Sequence, residues 1–81
     1  MATKAQHAAR YERVPGFLRS LREEAGLTQR EFAAAIKLSQ SWVYKTEAGI
    51  RRMDVAEFCD WCLVCKVDPS TAIRRLLIHH E

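Results

Sequence analysis

LTQREFAAAIKLSQSWVYKTEAG, residues 27–49 of an 81-residue chain, reads as two short helices separated by a tight turn. Thr28 has the side chain of a helix N-cap, and Glu31 three residues later completes a capping box. Phe32, Ala33 and Ile36 then recur at helical spacing on one inner face. Lys37-Leu38 makes the turn, Ser39 caps the next helix over residues 40–47, and Gly49 ends it. In that second helix Val43 is the buried anchor. Gln40, Ser41, Tyr44 and Lys45 form a mixed polar face around it.

Working outward, Pro15 and Gly16 punctuate the entry to a helix over residues 15–25, with Phe17, Leu18 and Leu21 on its apolar side and Gly26 as a left-handed stop. On the other side, Asp54 opens a helix with Glu57 at the capping-box position and Val55, Phe58, Cys59, Cys62 and Leu63 as its stripe. Asp68-Pro69 pairs an N-cap with a proline at the first helical position. Ala72, Ile73, Leu76 and Leu77 line the helix that follows. No alternating strand pattern and no repeat interrupts this series. The expected architecture is all-α, a five-helix bundle over residues 15–81 behind a flexible, polar N-terminal arm at 1–14. His79 and His80 read as tail residues.

The chain fits one domain with a modest core. Its hydrophobic fraction of 48% is that of a globular protein, and its net charge of +3 and pI near 9.0 suit an anionic partner without requiring one. No apolar run approaches the roughly 18 residues of a membrane span, and the N-terminus lacks a signal-peptide core. The expectation is a cytoplasmic protein, with no membrane partner, whose three cysteines are reduced.

The paired helices meet the narrow requirements of a helix-turn-helix. Ala33 is the small residue at the closest approach, Phe32 the bulky anchor, Leu38 the apolar plug of the turn and Val43 the buried contact of the second helix. In such a unit the second helix enters the major groove of double-stranded DNA. Gln40 can pair with adenine N6 and N7, Lys45 can donate to guanine O6 and N7, and Ser41 reads either more weakly. Tyr44 and Trp42 can pack on thymine methyls or on the sugar-phosphate backbone. Unpaired N–H groups around Thr28 and Gln29 can hold a phosphate.

On Thr28-Gln29, Phe32-Ala33, Leu38-Ser39, Val43, Glu47 and Gly49, with LRSLREEAG before them and RRMDVAEF after them, residues 16–78 resemble the Cro/repressor-type helix-turn-helix family, often called the Xre family. The resemblance implies a lambda-repressor-like fold and a transcriptional regulator of the repressor type. It puts Gln40, Ser41, Tyr44 and Lys45 at base-reading positions. It puts Gln29, Arg51, Arg52 and Arg22 at phosphate-contacting ones. Two residues depart from the family pattern. Lys37 stands where glycine is usual, at a left-handed cost of roughly 1 kcal/mol, and it adds positive charge near the DNA. Thr46 stands where an apolar residue is common, which predicts a less firmly anchored recognition helix.

Cys59, Cys62 and Cys65 have the spacing C-x-x-C-x-x-C. At about 100° per residue the third has rotated away from the first, and no fourth ligand stands close in sequence, so no metal and no cofactor is expected. They read as packing residues, with redox sensing as the alternative. Trp61 fits either the core or a subunit contact. Ile73, Leu76, Leu77 and Ile78 cover more of the last helix than one packing face needs. Together with Trp61 they predict a homodimer through the C-terminal helices. The competing reading is an antitoxin or other interaction module that covers a partner protein with these helices. No Ser/His/Asp set, glycine-rich phosphate loop or paired-carboxylate pocket points to an enzyme.

Overall fold

The computed structural model describes residues 11–78. Residues 1–10 of the expected arm, and His79 and His80, lie outside the described residues. Five helices and no strand occupy the described part: α1 (Arg13–Glu24), α2 (Gln29–Ile36), α3 (Gln40–Glu47), α4 (Val55–Val64) and α5 (Pro69–Ile78). The all-α, five-helix expectation is met.

Side-chain chemistry sets the helix starts. Thr28 Oγ1 accepts the Glu31 N–H at 3.1 Å while Glu31 Oε1 accepts the Thr28 N–H at 2.9 Å, a complete capping box. Asp54 and Glu57 repeat it at 2.8 and 3.0 Å. Ser39 Oγ accepts from the Trp42 N–H at 3.0 Å. Asp68 accepts the Thr71 N–H and the hydroxyls of Ser70 and Thr71, and these bonds, Ser70 first, hold its carboxyl below the ordinary carboxylate value. α1 starts at Arg13, ahead of the expected Pro15, because a proline in the first turn has no helical N–H bond to lose. Tyr11 and Val14, assigned to the arm, pack against the fold: Val14 borders the core, and the Tyr11 hydroxyl accepts the Met53 N–H at 3.0 Å.

Four left-handed residues end the helices or turns, Gly26 (φ 76°) and Gly49 (φ 77°) at no steric cost, Lys37 (φ 64°) and Lys66 (φ 60°) against one. Gly26 and Gly49 lie in paired-bond stops. After α3, for example, the Gly49 N–H reaches the Thr46 carbonyl and the Ile50 N–H reaches the Lys45 carbonyl. Lys37 has the conformation its place in the turn demands. Lys66 does the same after α4, where the sequence carried no glycine to announce it.

Trp61 is the centre of the core. It is fully buried, its ring lies 4.3 Å from that of Phe32 and 6.0 Å from that of Trp42, and its indole N–H donates to the Leu18 carbonyl at 3.1 Å. One side chain thus joins α1, α2, α3 and α4. Its assignment to a subunit contact is corrected: no part of it reaches the surface. Leu18, Leu21, Phe32, Ala33, Val43, Phe58, Cys62, Cys65 and Ala72 pack around it. Burial pushes the Cys62 and Cys65 thiols up to about 11, which keeps them protonated and inert. Leu38 is corrected too: it is 43% exposed and does not plug the turn.

Candidate nucleic-acid interface

The inner side of α3 is fixed at three levels. Val43 is fully buried. Thr46 is fully buried as well, and its hydroxyl donates to the Trp42 carbonyl at 2.7 Å, so the polar atom is satisfied inside the helix that carries it. The expectation of a loosely anchored recognition helix is therefore not what the structure shows: the residue is buried and its hydroxyl is hydrogen-bonded. Glu47 supplies the third level. Its carboxylate takes Arg22 Nε at 2.6 Å, a second Arg22 N–H at 2.9 Å and Gln29 Nε2 at 3.0 Å, while the remaining arm of Arg22 donates to the Leu27 carbonyl at 2.7 Å. The Arg22 and Glu47 side chains are 9% and 4% exposed. Hydrogen bonding to Glu47 holds Arg22 above its ordinary value against the opposing effect of burial. This fork ties α1, the start of α2 and the end of α3 to one carboxylate.

Arg22 is thereby removed from the phosphate-contacting set, since its donors are spent inside the protein. The α1 arginine that shares a surface concavity with Gln29 and Tyr44 is Arg19, exposed and, among the described residues, paired only with Glu23 at 3.1 Å. Helical periodicity held the signal: Arg22 stands four residues after Leu18 and so on the buried stripe, whereas Arg19 does not.

The outer side of α3 is the opposite. Gln40, Ser41, Tyr44 and Lys45 are all exposed, share one face, and their side chains make no hydrogen bond or ion pair among the described residues. They present an amide, a hydroxyl, a phenol and an ammonium from a helix held on its other side by Val43, Thr46 and Glu47. Such a set can donate to and accept from base edges.

Around this face stand the other expected residues. Lys37 is exposed in the turn. At the start of α2, the Thr28 N–H is taken by Glu31 and the Gln29 amide leans on Glu47, which leaves the Gln29 and Arg30 backbone N–H groups and the second Gln29 amide proton for an anion. Trp42 is half-buried against Trp61, and the Arg51 guanidinium carbon lies 4.7 Å from its ring centre, so its ring packs into the fold. Arg51 is also committed inward: both Glu57 oxygens lie 3.3 Å from its guanidinium nitrogens and Thr46 Oγ1 lies at 3.5 Å. Arg52 is exposed and stacks on Tyr11 at 4.2 Å. The sequence missed Tyr11 altogether. The contact spans 41 positions, and no local pattern reports it.

A second surface feature lies between α4, α5 and the start of α1. Val14, Met53, Val55, Phe58, Ile73 and Leu77 line an apolar groove of about 660 Å³. Ile73, Leu77 and Ile78 are 42%, 62% and 61% exposed, so the last helix does carry apolar surface beyond its own packing. No helix among the described residues is long and apolar enough to cross a membrane.

Comparison with known proteins agrees with this fold. Residues 16–76 match the model of a helix-turn-helix domain family. A solved structure described as an XRE-family like protein from Pseudomonas syringae pv. tomato str. DC3000 is similar over 96% of this chain and 95% of its own, at 40% identity and a TM-score of 0.85. No curated protein matched.

Proposed function

This chain belongs to the Xre-type helix-turn-helix family of DNA-binding regulators, and from that premise we propose that it is a cytoplasmic transcriptional repressor. It places α3 in the major groove of an inverted-repeat operator as a homodimer. One observation carries the reading: α3 is locked on its inner side by Val43, Thr46 and Glu47, while Gln40, Ser41, Tyr44 and Lys45 stand uncommitted on its outer side. Base contacts come from those four. Gln29, Lys37 and Arg52 contact phosphates, with Thr28 capping the helix that presents Gln29, and Arg19 takes the place expected of Arg22.

The dimer forms through the apolar groove and Ile73, Leu76, Leu77 and Ile78, which sets two copies of α3 about one helical turn, roughly 34 Å, apart on one side of the duplex. Occupying such a site competes with other proteins for the same DNA, which is the physical content of repression. The same groove supports the second reading, an antitoxin or other module that seats a different protein there. Selection of bound duplexes from a random pool tests the first. Repression through a dimer predicts an enriched palindrome with two half-sites. Recovery of no preferred sequence contradicts it. A chain that sediments as a monomer while still binding one half-site leaves the groove to the second reading.

A further inference from the structure

Arg51 and Arg52 are adjacent in sequence and differ in what holds them. Arg51 is gripped by Glu57, Thr46 and the Trp42 ring. Arg52 makes no ion pair or hydrogen bond among the described residues, and its guanidinium lies on the face of Tyr11, 4.2 Å from the guanidinium carbon to the ring centre. Tyr11 is itself fixed to the same loop, because its hydroxyl accepts the N–H of Met53, the next residue, at 3.0 Å. The ring therefore meets the α3–α4 loop at two consecutive positions, once by its face and once by its oxygen.

Stacking occupies the flat face of a guanidinium and leaves its in-plane N–H donors open. Those edge donors are the ones that pair with phosphate oxygens. A long side chain that must be ordered on binding loses rotamer freedom at that moment; one already laid on a ring has lost part of it beforehand. We propose that Tyr11 is a positioning residue for DNA affinity: it holds Arg52, and the loop that carries it, in the geometry from which Arg52 grips the phosphate backbone. The proposal rests on the reading that Arg52 contacts phosphate. It assigns part of the interface to a residue ahead of α1, outside the helix-turn-helix.

A double-mutant cycle on the full-length chain tests it, with Tyr11→Leu, Tyr11→Phe and Arg52→Ala measured against a random-sequence duplex at several salt concentrations, and thermal unfolding of each variant as the control for folding. Tyr11→Leu is expected to weaken binding about 2- to 5-fold, the scale of an exposed cation–π contact, and Tyr11→Phe, which keeps the ring, to retain most of the affinity. In the Arg52→Ala background Tyr11→Leu is expected to have no further effect. Multiplicative losses overturn the proposal, since Tyr11 would then act through the core, the dimer or a contact of its own. A Tyr11→Phe loss equal to that of Tyr11→Leu also overturns it, because the ring would not matter. Unchanged binding on Arg52→Ala alone fails the prior reading of Arg52, a result distinct from both.

Discussion

The two sides of α3 share eight residues and one backbone, and they are built on opposite rules. The inner side leaves nothing unsatisfied. Val43 and Thr46 are fully buried, the Thr46 hydroxyl is bonded within the helix, and Glu47 receives three donors from two other helices. The outer side commits nothing. Gln40, Ser41, Tyr44 and Lys45 keep their donors and acceptors open. The inner side fixes where the helix points; the outer side keeps hydrogen-bonding capacity for a partner that can use it. Changes on the inner side are therefore expected to alter stability, and changes on the outer side to alter recognition alone.

The largest effect belongs to Glu47→Ala. It strands the Arg22 guanidinium among buried atoms, and removing one partner of a buried pair costs about 3–5 kcal/mol. Urea unfolding followed by circular dichroism is expected to show that loss. Replacing both charges together, Arg22→Met with Glu47→Leu, is expected to recover most of it. If Glu47→Ala unfolds no more easily than the parent, the inner side is not the anchor described.

Outer-face changes are next in size and leave stability alone. Gln40→Ala and Lys45→Ala are each expected to keep the unfolding midpoint within the range of an ordinary surface substitution, about 0.5 kcal/mol. Each is expected to remove about 1–3 kcal/mol of discrimination at one base position. A fall in stability of comparable size would merge the two faces that the structure separates.

Alkaline pH probes the two buried thiols. The Cys62 and Cys65 thiols are raised from the ordinary 9.0 to about 11 by burial, so the unfolded chain ionises first. The contribution of the two thiols to stability is full below 9.0 and is lost as pH rises from 9.0 toward about 11. A pH series of unfolding midpoints is expected to decline across that window, and the decline to shrink in Cys62→Ala. A flat profile would place the thiols in a more solvated setting.

The smallest effect is at the turn between α2 and α3. Lys37 holds a left-handed φ of 64°, and Lys37→Gly relieves strain at some cost in chain entropy, for a net gain of up to about 1 kcal/mol. The same change removes a charge beside the recognition face, so the variant is expected to unfold later and to bind random DNA more weakly. Tighter binding would mean that Lys37 lies away from the phosphates.

Much of the framework was legible because capping is local chemistry. Thr28 with Glu31, Asp54 with Glu57, Ser39 and Asp68 could be read directly, and each cap is found as read. Arg22, Thr46 and Trp61 were misplaced for a common reason. Each stands on a buried stripe by spacing, but side-chain type pulls the reading elsewhere: a charge sends Arg22 to the surface, a hydroxyl makes Thr46 a weak anchor, and an amphipathic ring leaves Trp61 between the core and a subunit contact. Arg22 is inside only because Glu47, 25 positions later, meets it there. Arg51 and Arg52 sit in a loop, where no periodicity distinguishes the one that folds onto Trp42 from the one that stacks on Tyr11.

In the proposed complex the outer face of α3 reads DNA sequence while the inner face holds the helix still. The most direct test compares Lys45→Ala with the parent chain on a selected duplex and on variants changed at one base pair at a time, at fixed salt. Unchanged unfolding, weaker binding to the selected duplex, and lost preference at one position in each half-site are expected. Equal base preference in the two proteins, with or without a change in affinity, would contradict it.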